Sequence, residues 1–216
     1  LAAEHPDPSS VQLKCLQKTF RQILDGNGAD LFNEDDWITF SQGMNSTWTQ
    51  QTSHAESFAQ LDKLSELSFA SDVAEGLVWI DFSSIPQMVD VQGANTFELL
   101  QHEIDQALAV QTIPFYLERS NYFWVLTPDA THETRKKRCG FASWRGRGWC
   151  RLEEWANFLS RRCLMPLVVT DAPKISTYSM LAFMLDNLNK PERAPCMGEF
   201  SCCSANHTFC VGSMPR

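Results

Sequence analysis

The sequence predicts a three-layer α/β domain built on a mainly parallel sheet. Continuous apolar runs of strand length occur at 77–82, 122–127 and 164–170. Runs of that kind suit strands buried on both faces. Segments of helical period lie between them, and alternation of strand and helix favours a parallel sheet covered by helices. With 216 residues and 44 % hydrophobic composition, the chain is long and apolar enough for one domain with a substantial core.

The elements follow in order. A loop at His5-Pro6-Asp7-Pro8 ends in Ser9-Ser10, read as a helix cap. Val11, Cys15, Leu16, Phe20, Ile23 and Leu24 then recur near helical spacing, and Gly26-Asn27-Gly28 stops that helix. Trp37-Ile38-Thr39-Phe40 reads as a short strand. The stretch 55–69 reads as a helix with Phe58, Leu61, Leu64 and Leu67 in step. Gly76 opens the first apolar run, which ends in the polar loop Ser83-Ser84-Ile85-Pro86-Gln87. A helix over 95–110 begins with Asn95 and Glu98 spaced as a capping box, and carries a stripe of Phe97, Leu100, Ile104, Ala107 and Leu108. The strand at 122–127 is closed by Pro128 and followed by a basic, solvated loop containing Arg135, Lys136, Lys137, Arg138, Arg145 and Arg147. A helix over 150–161, the third strand and a helix over 176–188 complete the pattern.

Charge and composition exclude several classes. A net charge of −8 and a pI of about 5.1 argue against a nucleic-acid surface. No apolar run approaches ~18 residues, so no membrane span is expected. Cys15, Cys139, Cys150 and Cys163 stand singly beside core-like segments and read as buried thiols of a reducing, cytoplasmic compartment. The tail from Cys196 to Cys210 lacks the paired spacing of a structural zinc site, and no metal is assigned to it.

In open parallel sheets the ligand crevice lies outside the carboxyl ends of the strands. Three polar stretches fall there: 81–87, 127–132 and the loop entering Trp149. Trp149 and Glu153 are four apart and share one helix face, offering a ring and a carboxylate to one pocket. Glu153 is the candidate reactive group, whereas Glu154 reads as a solvated helix residue. Asp81 is either a site residue placed by the sheet or a loop cap accepting from the amides of Ser83 or Ser84. Cys150 reads as a core thiol rather than a thiolate stabilised at a helix N-terminus. No phosphate loop, dinucleotide fingerprint or nucleophile elbow is present.

Trp149-Cys150-x-x-Glu153 resembles the Trp-Cys-x-x-Glu motif of TIR domains (Toll/interleukin receptor type). Val78-Trp79-Ile80-Asp81 with Ser84-Ile85-Pro86-Gln87 resembles the related strand of heterokaryon-incompatibility domains, with Ser84 and Pro86 at positions where those carry Cys and Asn. The combination is similar to TIR-like proteins of unicellular algae. The resemblance implies a flavodoxin-like fold whose first strand precedes His5-Pro6-Asp7-Pro8, so that strand is expected to be missing. It also implies a single domain over 1–216, with 30–69 as a family-specific insertion. NAD is the implied substrate, with no resident cofactor. Glu153 would be catalytic, and Trp149, Asp81, Ser83, Ser84 and Tyr116 would form the pocket. The alternative implied is a non-enzymatic signalling module that assembles homotypically.

Overall fold

The computed structural model describes residues 7, 9–41, 64–86, 93, 95–132, 136–160, 163–170, 174–195 and 197. Among these the fold is mixed α/β and predominantly helical. In chain order the first elements are α1 (Val11–Leu24), a 3₁₀ turn (Ala29–Leu31), α2 (Glu34–Ser41), α3 (Glu66–Glu75) and α4 (Asp81–Ser84). Then follow α5 (Thr96–Gln111), α6 (Ile113–Arg119), β1 (Phe123–Leu126), β2 (Ala130–Thr131) and β3 (Arg138–Cys139). The last are α7 (Phe141–Arg145), α8 (Gly148–Leu159), β4 (Pro166–Val169), β5 (Ile175–Ser176), α9 (Met180–Leu188) and a 3₁₀ turn (Pro191–Arg193).

The sheet is small. β1 pairs in parallel with β4, placing Phe123 beside Pro166 and Leu126 beside Val169, and β4 pairs antiparallel with β5. β2 and β3 form a separate two-stranded ladder. Two apolar clusters grow from opposite faces of β1 and β4, because alternate residues of a strand point to opposite sides. On one face Leu167 and Val169 meet Cys15 and Ile23 of α1, Phe69 of α3, and Leu31, Phe32 and Phe40. On the other, Phe123, Val125 and Val168 meet Ile113 and Leu117 of α6, with Ala156 of α8 against them.

Local chemistry explains most boundaries. The α1 entry is capped from further out than Ser10: Ser10 sits at φ 56° without a side-chain cap, and Leu13 donates to Oδ2 of Asp7 at 2.9 Å. Gly26 ends the helix at φ +80°, a left-handed conformation that disfavours any residue with a Cβ. At α5 the expected capping box is present, with Asn95 accepting from Phe97 and Glu98 while Glu98 accepts from the amide of Asn95.

Several expectations are corrected. The segment 37–40 is helical, not a strand: the amide of Asp36 donates to Asn33 at 2.7 Å, and Glu34, Asp35 and Asp36 all fall in the first turn of α2. That cap and the acidic turn outweigh the β-propensity of Trp-Ile-Thr-Phe. The run expected as a buried strand over 77–82 is not one either. Its backbone is extended at Ile80 but forms no ladder among the described residues, and 81–84 turns into α4. Leu77 is fully exposed, as are about half of Val78 (54 %) and over a third of Ile80 (39 %). Of residues 77–80, Trp79 docks, against the cluster on α6. Apolar content draws a segment toward a core, but a strand also needs its backbone groups aligned along a sheet edge, and the turn into α4 at Asp81 ends the extended stretch before it can pair.

The region 30–69, expected as an insertion, carries core side chains where it is described: Leu31, Phe32, Phe40 and Phe69 are all buried. Of the helix expected over 55–69, the residues 55–63 lie outside those described, and 66–69 belong to α3, which Ser65 caps. Cys15, Cys150 and Cys163 are buried thiols as expected, whereas Cys139 is only half-buried. The cysteine-rich tail lies outside the described residues. No helix among the described residues is long and apolar enough to cross a membrane.

Candidate functional site

The site is organised by α8. Arg147 precedes it in an extended conformation, and Gly148 opens the first turn. A short link of six residues joins the C-terminus of α8 to the start of β4, which runs parallel to β1. Twelve helical residues span about 18 Å. A return crossover therefore carries Trp149 and Glu153 back toward the carboxyl edge of the sheet.

Glu153 is half-buried. Its carboxyl is pushed up to about 8, first by burial and then by the carboxylate of Asp81, with Arg147 opposing both. The thiol of Cys150 is pushed up to about 12 by burial; Arg147 opposes the rise, and Glu153 and Asp81 add to it. Asp81, Arg147, Cys150 and Glu153 therefore occupy one locality, although Asp81 is far away along the chain. Cys150 is 5 % exposed and stays a thiol at neutral pH, in keeping with a core role.

Asp81 heads α4. The amides of Ser83 and Ser84 donate to the carbonyl of Ile80, at 3.1 and 2.8 Å, rather than to the Asp81 side chain. Those amides are thus satisfied within their own turn, and the Asp81 carboxylate is one of the charges that raise the Glu153 carboxyl. Ser84 Oγ accepts from the amide of Ile80 at 3.2 Å, which ties it to its own turn. Ser83 is exposed on the same turn. Trp149, 52 % exposed, shares the helix face of Glu153 by spacing. Tyr116 stacks on Trp79 with ring centroids 5.3 Å apart, two residues before Asp81.

No protein family, curated protein or solved structure matches this chain.

The neighbouring carboxylate behaves differently from the expectation. Glu154 is not solvated: it is 1 % exposed. Its Oε1 lies 2.9 Å from a guanidinium nitrogen of Arg145 and accepts from the Tyr178 hydroxyl at 2.6 Å. Arg145, expected in a solvated basic loop, is also buried, packs over the rings of Phe141 and Tyr178, and pairs with Asp186. Asp186 in turn holds Lys190 at 2.8 Å and Arg193. Burial opposes the charge on Arg145, and Glu154, Tyr178 and Asp186 together more than offset it, holding its pKa above the ordinary value. The Tyr178 phenol is held well above its usual range, by burial first and by Glu154 next. Successive residues on a helix point about 100° apart, so one of the two glutamates meets the inner network and the other the Asp81 side.

Arg147 and Trp79 were not among the residues singled out for the site. Arg147 was legible only as part of a basic run. Trp79 was legible as a member of an apolar run, and its stacking on Tyr116 needed the tertiary structure. An open cleft of about 400 Å³ lies between α6 and α8, lined by Pro114, Glu118, Ala156, Leu159 and Ser160. Ala156 and Ser160 share a helix face with Glu153 by spacing, but neither Glu153 nor Asp81 lines the cleft. Among the described residues no group of three or more His, Cys, Asp and Glu is placed to hold a metal ion.

Proposed function

We propose that this chain is a cytoplasmic TIR-like signalling domain of three-layer, flavodoxin-like architecture that hydrolyses NAD at the nicotinamide–ribose bond. The observation that supports this reading is a half-buried carboxyl, Glu153, whose proton affinity is raised by burial and by Asp81. In the reaction the C1′–N bond breaks and its electron pair leaves with nicotinamide, discharging the pyridinium. The ribose becomes oxocarbenium-like. An ionised Glu153 beside it stabilises the developing positive charge in a partly water-excluded setting. Water then adds at C1′ and its proton passes to Glu153 and on to solvent, giving ADP-ribose. A carboxyl near 8 is partly ionised at neutral pH and basic enough to accept that proton. Trp149 offers a flat ring to the nicotinamide, and Asp81, Ser83, Ser84 and Tyr116 are the candidates for contacts to the remainder of the substrate.

The test is NAD consumption by the chain and by Glu153→Ala. Turnover is expected to fall by about 100-fold or more in the variant, the scale of a lost electrostatic or acid–base contribution. Equal turnover in both would sink the assignment.

A second reading, a non-enzymatic interaction module that includes homotypic assembly, is favoured by the apolar side chains left on the surface at Leu77, Val78 and along α5. It predicts association that survives Glu153→Ala, without loss of NAD.

A further inference from the structure

Helix α5 is docked by its less apolar side. Leu99, His102, Gln106, Ala109 and Val110 form its half-buried face, and none of its sixteen residues is fully buried. Gln106 Nε2 donates to the carbonyl of Pro86 at 2.8 Å, and Val110 packs on the cluster around α6. The opposite face carries Phe97, Leu100, Ile104 and Leu108, which are 74, 55, 45 and 54 % exposed. Their spacing of three, four and four residues puts them on one stripe about three turns long. Leaving four large apolar side chains in water forgoes the burial that normally orients an amphipathic helix.

The stripe has a distinctive border. Glu98 and Asp105 flank it on one side and Glu103 on the other, and α5 contains no Lys or Arg. An apolar seam with charged flanks is the pattern by which helices choose partners, the flanks setting which partner is accepted. We propose that α5 is a docking face for the amphipathic helix of a partner protein, one whose apolar seam is bordered by Lys or Arg. The all-acidic border disfavours α5 of a second copy, which would set like charges against like across the seam. A second stripe, Leu181, Met184, Leu185 and Leu188 on α9, is also exposed, but its nearest charge, Asp186, is engaged by Arg145, Lys190 and Arg193. It therefore offers no comparable border and serves as an internal control. The proposal rests on the interaction reading rather than on chemistry at Glu153, and its outcome is read by binding alone.

The experiment titrates the whole chain against two fluorescent synthetic helices of roughly 18 residues, long enough to cover the stripe. Both carry the same leucine seam, one bordered by Lys and the other by Glu, and anisotropy is read at physiological salt. Saturable binding of the Lys-bordered helix is expected, with the Glu-bordered helix at least about tenfold weaker. Leu100→Ser with Ile104→Ser keeps the charge and is expected to weaken binding by about tenfold or more, while Leu181→Ser with Leu185→Ser leaves it unchanged. Glu103→Lys with Asp105→Lys alters only exposed positions and should reverse the preference between the two helices, so the idea stays testable even if the α5 serine variant folds poorly. Equal weakening by the α5 and α9 variants, or no reversal on charge exchange, would overturn the proposal. So would self-association of the free chain that the α5 variants abolish, since a second copy would then be the occupant.

Discussion

Glu153 and Glu154 show how one residue step along a helix separates two carboxylates into different physics. Glu154 is an acceptor inside a buried network with Arg145 and Tyr178, while Glu153 keeps a raised proton affinity beside Asp81. Removing one partner of a buried ion pair leaves the other charge uncompensated, so Glu154→Ala should destabilise the fold by about 3 kcal/mol. Equilibrium unfolding in urea measures this, and a change under about 1 kcal/mol would show that the pair contributes little. The Glu153 side chain predicts a pH dependence of the opposite character. Because its folded pKa lies above the unfolded value of 4.5, the native chain holds a proton that the unfolded chain releases between about 4.5 and about 8. Its contribution to stability is therefore present in acid and lost as pH rises through that window. Glu153→Gln should gain in Tm relative to the parent chain as pH goes from 5 to 8.5, and Asp81→Asn should move the upper end of the window downward. A Tm difference independent of pH would show that Glu153 titrates as an ordinary surface carboxylate.

At the scale of elements, the sequence was most informative where local chemistry closes on itself. The cap at Asn95, the stop at Gly26 and the strands around Val125 and Val168 lie close to where pattern placed them, because each depends on neighbours in sequence or on residues buried on both sides. It misled where an element needs a distant partner. Val78-Trp79-Ile80 has the composition of a central strand, yet no ladder receives it among the described residues. The stripe on α5 has the period of a core-facing helix, yet faces outward. Periodicity reveals that a face is apolar, not what will cover it.

At the scale of the whole molecule, the two apolar clusters share β1 and β4, so damage to one should propagate to the other. Phe69 is fully buried and its ring meets those of Trp37, Phe40, Tyr122 and Trp124 within 6.4 Å. Phe69→Ala should cost roughly 3–5 kcal/mol, enough to consume much of the stability of an ordinary domain. Aromatic circular dichroism, which reads the rings around Phe69, and fluorescence of Trp144, in single-tryptophan variants, should lose their native signals in one transition. Survival of the Trp144 side alone would show that the clusters unfold separately.

Taken alone, the sequence determined the mixed α/β character, the strands around Val125 and Val168, the cap at Asn95, and the placing of Trp149 and Glu153 on one helix face. These follow from residue spacing and from backbone requirements satisfied locally. Only the tertiary structure decided that the Asp81 charge acts on Glu153, that Glu154 joins Arg145 and Tyr178, that 30–41 supplies core side chains, and that α5 turns its apolar stripe to solvent. Each of these depends on which surfaces meet across long chain separations. Burial and electrostatic coupling are set by that meeting, and a sequence pattern records only one of the two sides.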